Sequence, residues 1–94
     1  MRIQVVRSGG FAGLRRERAV ETDQLSPDER VEFERLVAEA RFFDLPARQT
    51  SGLPDVIQYR VRVEVEGRAH EVTADDQAAD GALTALVAKV MRME

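Results

Sequence analysis

Ile57, Tyr59, Val61, Val63 and Val65 alternate strictly with Gln58, Arg60, Arg62, Glu64 and Glu66. A period of two predicts a strand with one face buried and the other in water. Ile3 and Val5 repeat the pattern against Arg2, Gln4 and Arg7, with Val6 as the interruption. From Leu14 to Thr22 the same period survives weakly in a charged segment whose clearest inward residue is Val20. A weak, charged strand suits a sheet edge, where charge discourages pairing with other chains. The alternating strand ends at the short turn Glu66-Gly67-Arg68, and Arg68 to Ala74 reads as its return.

Two stretches carry the helical period instead. In "LSPDERVEFERLVAEARFFDLP", Ser26 is a natural N-cap, Pro27 sits where its missing N–H costs nothing, and Glu29 completes a capping box. Phe33, Leu36, Val37 and Ala40 form one apolar stripe. Pro46 disfavours helical geometry at Leu45, so the helix is expected to end near Phe43. For the second helix, Asp76 and Asp80 both offer a cap. Gly81 would cost about 1 kcal/mol inside a helix, which favours the later start. Leu83, Leu86, Val87 and Val90 then make its buried stripe.

The order is therefore ββαββα over residues 1–94, one α+β domain with a four-stranded antiparallel sheet and two helices packed on one face. If each element crosses the domain once, three loops share one end: Gly9 to Gly13, Asp44 to Asp55, and Ala74 to Asp80. The Glu66 to Arg68 turn lies at the other.

Composition narrows the function. The chain carries 14 basic and 17 acidic residues, interleaved rather than segregated, so it lacks the clustered basic face that displaces counterions from nucleic acid. It has no cysteine and one histidine, His70, which excludes disulfides, thiolate zinc sites and a His-rich metal site. No apolar run reaches the 18 or so residues that would cross a bilayer, and the N-terminus lacks the apolar core of a secretory signal, so the chain reads as cytoplasmic.

Catalytic patterns are also missing. His70 falls mid-strand, and Asp75 and Asp76 beside a helix start read as caps and dipole partners rather than an acid/base pair. "SGGFAGLRR" lacks the phosphate-loop pattern and precedes a strand instead of opening a helix. Its glycines supply positive φ for a long hairpin loop, and Phe11 at the tip either folds back onto the sheet edge or is presented outward as a recognition anchor. Phe42 and Phe43 read as core plugs at the helix end. Leu53, beside Pro54 in the second long loop, fits either role.

Taken in order, "RSGGFAG", "TDQLSPDE", "FFDLP", "QYRVRVEVEG" and "VTADD" resemble segments of the emfourin-type inhibitors of thermolysin-like (M4-family) metalloproteases. The resemblance implies a non-enzymatic intracellular protein without cofactor that binds such a protease. Peptidases of that class prefer a bulky apolar side chain just after the scissile bond, so the resemblance makes Phe11 the candidate occupant of that pocket, with Leu14 or Leu53 as alternatives. The implied protease-binding set is Gly9, Gly10, Phe11, Ala12, Gly13, Leu14, Leu53 and Pro54.

Burying one Phe contributes about 1.5 to 3 kcal/mol, whereas nanomolar binding needs about 12, so neighbouring loops must supply an interface near 800 Å² per partner. With His70 expected away from the loop end, occlusion of the cleft without a strong zinc ligand is the expected mode. The competing reading is a non-enzymatic interaction or scaffold domain that assembles through an exposed strand edge. Neither reading involves nucleic acid or a membrane, and the free protein is expected to be a monomer.

Overall fold

The computed structural model describes residues 1–9 and 13–93. The strictly alternating segment becomes β4 (Ile57–Val65) at the centre of the sheet, between β1 (Arg2–Gly9) and β5 (Arg68–Asp75). The charged β2 (Leu14–Glu21) lies at one edge, outside β1. Antiparallel register sets Val61 between Val5 and Val72, and Val63 between Ile3 and His70. Directly paired residues point to the same face, so the alternation in sequence becomes a continuous apolar surface. Ile3, Val5, Val61, Val63 and Val72 lose all their accessible surface there. Glu66 (φ 48°) and Gly67 (φ 77°) form the β4–β5 turn, with both central residues in the left-handed region that matches the twist of a tight hairpin.

The sheet has five strands and is mixed, not four-stranded and antiparallel as the sequence predicts. The additional strand, β3 (Arg48–Gln49), runs parallel to β5 in the order β2-β1-β4-β5-β3. Thr73 N donates to Ala47 O at 2.8 Å beside it. Two residues after a proline carry no period of their own. They become a strand because β5 leaves a free edge of backbone donors and acceptors along which the chain passes.

α1 (Pro27–Ala40) starts where the cap residues indicate, with Glu29 N donating to Ser26 Oγ at 3.3 Å. It stops three residues short of the expected end. Phe42 lies two and a half turns beyond Phe33, so a continuing helix would carry it to the face opposite the apolar stripe. Arg41 instead adopts the left-handed conformation (φ 50°, ψ 49°), and a 3₁₀ turn over Phe42–Asp44 follows. Phe42 is thereby delivered to the core, 1% exposed.

The course of α1 also differs from expectation. Near its start, Thr22 N and Oγ1 both donate to Met1 O, beside β1 and β2. Beyond its end, His70 Nε2 donates to Leu45 O at 2.8 Å, and the Arg68 guanidinium lies 4.3 Å from the Phe43 ring centre, both on the lower half of β5. The helix runs across the strands and not along them. Its 14 residues span about 21 Å, close to the roughly 19 Å width of five strands.

α2 (Gly81–Arg92) begins at the later candidate cap, with Leu83 N donating to Asp80 Oδ1 at 2.8 Å. Leu83, Leu86, Val87 and Val90 join Phe33, Leu36 and Val37 over the apolar face of the sheet, so both helices cover that face. Lys89 Nζ lies 3.4 Å from Glu32 and 5.0 Å from the Phe33 ring centre, joining α2 to α1.

Candidate functional site

At the upper end of the sheet the sequence-predicted residues separate into structural and presenting groups. Gly9 closes β1, paired with Leu14 on one side and Ile57 on the other. Its φ is +90°, and a Cβ added there would lie 2.9 Å from the Val56 carbonyl oxygen. Glycine at this position is thus required by both backbone conformation and close approach. Gly13 (φ +63°) has nothing among the described residues within 4 Å of where a Cβ would stand, so its backbone conformation is what favours glycine there. Leu14 opens β2. Gly10, Phe11 and Ala12 lie outside the described residues, so the two readings of Phe11 are decided by assay.

Because β3 climbs along β5, only the later part of the Asp44 to Asp55 segment reaches this end. Its beginning lies by His70, near the opposite end, which corrects the expected position of that loop. The upper part, Ser51 to Asp55, turns through Gly52 (φ 75°) and Asp55 (φ 57°) and meets the hairpin where Val56 touches Gly9. Leu53 is 54% exposed and its neighbour Pro54 is exposed as well. Of the two roles open to Leu53, the fold selects display over packing.

The Leu53 loop is held by a residue that the sequence analysis assigns only a capping role. Asp75 is 1% exposed. Its Oδ2 accepts from Ser51 N at 2.6 Å and Ser51 Oγ at 2.9 Å, while Oδ1 accepts from Gln77 N at 3.0 Å and Ala78 N at 2.9 Å. Leu53 N donates in turn to Ser51 Oγ at 3.2 Å. The bonds to Gln77 and Ala78 are the local cap that an Asp followed by a turn announces. The bonds to Ser51 join positions 24 residues apart, and no local pattern signals them.

Donation from the Ser51 amide, above all, holds the Asp75 carboxyl below its usual value of 3.8; burial opposes this, and the Ser51 hydroxyl and the Ala78 and Gln77 amides add to the lowering. A depressed carboxyl contributes stability that is present above the unfolded value and is lost as pH falls through the folded one. The stability difference between wild type and Asp75→Asn is therefore expected to hold steady from neutral pH to about pH 5 and to shrink below pH 4. Urea unfolding across that range measures it, and a difference undiminished at pH 2 would contradict the assignment.

Elsewhere among the described residues charged side chains form ion pairs, and the N-terminal ammonium lies 3.4 Å from Glu21 and 3.9 Å from Asp23. On the helix-free sheet face, Arg62 pairs with Glu64 at 2.8 Å, Arg15 with Glu17 at 3.7 Å and Arg60 with Glu71 at 4.0 Å. A shallow groove of about 340 Å³ there has Ser8, Arg15, Gln58 and Arg60 among its walls. His70 is half-buried against Phe42 and Phe43, its Nε2 engaged with Leu45 O. Among the described residues, no three His, Asp or Glu side chains are grouped as a metal site requires, and no helix is long and apolar enough to cross a membrane.

The described residues form a small α+β domain in which the Leu53 loop, braced by Asp75, stands beside the end of the β1–β2 hairpin. The emfourin family profile matches residues 5–91. The chain belongs to that family, and the family points to a protease inhibitor with a protease as partner. Comparison with curated proteins and with solved structures gives no match.

Proposed function

We propose that this protein inhibits a thermolysin-like zinc metalloprotease by seating the upper end of its sheet in the enzyme's cleft. The observation that carries the reading is Leu53, a large apolar side chain 54% exposed on a loop held by three hydrogen bonds, two from Ser51 to Asp75 and one from Leu53 N to Ser51 Oγ. An apolar side chain fixed in water contributes to stability only when a partner covers it. Family membership supports a protease as the partner. Leu53 is the anchor offered to the pocket that receives a bulky apolar group, Phe11 on the adjacent hairpin is the second, and occlusion proceeds without a strong zinc ligand.

The test is inhibition of a thermolysin-like protease by wild type, Leu53→Ala and Phe11→Ala. Leu53→Ala is expected to weaken inhibition roughly ten- to hundredfold, the effect of withdrawing one buried Leu from an interface. Its urea midpoint should stay at the wild-type value, because the side chain is exposed in the free protein. Absence of inhibition by wild type removes the reading. Full inhibition by Leu53→Ala removes Leu53 from it. Recovery of protease activity on adding zinc at fixed inhibitor would overturn the steric mode.

Assembly through a strand edge finds less support. The outer strand β2 exposes Arg15, Arg16, Glu17 and Arg18 in succession, and charges along an edge oppose addition of another strand. The opposite edge, β3, is two residues long.

A further inference from the structure

We infer that Asp75, through Ser51, is a positioning residue that preorganises the Leu53 loop for binding; the inference rests on the inhibitory reading above. Asp75 is one of two polar or charged residues buried among the described residues, the other being Thr22. Its two carboxylate oxygens serve different segments. Oδ1 holds the turn after β5, through Gln77 N and Ala78 N, and Oδ2 holds the Leu53 loop, through Ser51 N and Oγ. A carboxylate is the one side chain of this size that accepts on both sides. Asparagine has the same shape but would turn its NH₂ group toward the donors of one segment.

The relay continues outward from the buried carboxylate. Ser51 Oγ donates to Asp75 and accepts from Leu53 N, so the backbone of the displayed residue is two hydrogen bonds from a fixed core position. A loop held this way has less ordering entropy to lose on binding. Released, it would populate the competent form only part of the time, and apparent affinity falls by that fraction. If Asp75 merely caps its own turn, the loop gains nothing from it, and the two roles separate in a double-mutant cycle.

The inhibition constants of wild type, Asp75→Asn, Leu53→Ala and the double variant against a thermolysin-like protease provide that cycle. Asp75→Asn is expected to weaken inhibition about tenfold when Leu53 is present and less than about twofold when it is alanine. Amide exchange at Ser51 and Leu53 should accelerate in Asp75→Asn while amides of β1 and β4 keep their protection. Equal losses in both backgrounds, or unchanged inhibition, overturn the inference. Should Asp75→Asn fail to fold, Ser51→Ala replaces it in the same cycle. It leaves the Gln77 and Ala78 bonds in place, and it is expected to weaken inhibition several-fold only when Leu53 is present. If wild type inhibits no thermolysin-like enzyme, the inhibitory reading fails by itself. Amide exchange then decides the positioning role, which unchanged rates at Ser51 and Leu53 in Asp75→Asn would overturn.

Discussion

Gly9→Ala is expected to lower stability by about 2 to 4 kcal/mol, from the strain of placing a side chain at that backbone conformation together with the displacement of a neighbour. Two costs coincide at this position. The φ of +90° lies outside the regions that residues with a Cβ prefer, and the added carbon would stand 2.9 Å from Val56 O. The obstructing atom is backbone of the segment leading into β4, so relief requires moving the centre of the sheet against β1. Gly13→Ala is the matched control. It also has positive φ (+63°), but no atom of the described residues lies within 4 Å of the added carbon, so a cost of about 1 to 2 kcal/mol is expected. Urea unfolding of the two variants checks the difference, and equal midpoints would refute the close approach. A domain of this size has roughly 5 to 14 kcal/mol of stability in total, so the Gly9 variant should remain folded with a marked loss.

Phe42→Ala is expected to cost about 3 to 5 kcal/mol, the range for removing a large aromatic from a packed core. Phe42 is 1% exposed and meets two other rings edge-on, Phe43 at 5.9 Å and His70 at 5.6 Å between ring centres. Its loss opens a cavity at the point where the chain leaves α1 and turns up along β5. The His70–Leu45 hydrogen bond and the β3 pairing lie just beyond that point, so both should loosen with it. Phe43→Ala provides the comparison: Phe43 is half-buried, under the Arg68 guanidinium, and its removal should cost less. Thermal unfolding followed by circular dichroism distinguishes the two, and a Phe42 variant no less stable than the Phe43 variant would show that the core does not depend on the turn.

The two predictions mark where local pattern and tertiary structure part. Gly9 was legible as a glycine in a hairpin, and positive φ was expected of it. The touch of Val56 was not, because Val56 comes from a segment 47 positions further along the chain. Phe42 was legible as a core residue, yet the helical period alone would have placed it on the wrong face. The left-handed Arg41 that corrects its direction is not a residue type that announces such a conformation.

The candidate site follows the same division. Leu53 stood in a loop with Gly52 and Pro54, and composition left its direction open; the fold decided it, since the loop is braced from below by Asp75 and leaves Leu53 54% exposed among the described residues. Asp75 was visible as a turn cap through its two near partners. Its partnership with Ser51 depends on β3 bringing residue 51 to the top of β5, and β3 itself has no periodic signal.

What the sequence determined alone are the features that depend on neighbours within a few residues: the alternation of β4, the cap at Ser26 with Pro27, the later start of α2 at Asp80, and the two apolar stripes. Period and capping act over one or two turns of chain, so a single sequence carries them in full. Tertiary structure alone decided the fifth strand, the course of α1 across the sheet, the role of Gly9 and the Asp75–Ser51 brace. Each of these arises from backbone or polar groups that meet across long separations, where the governing quantities are free edges, close approach and the satisfaction of buried donors and acceptors.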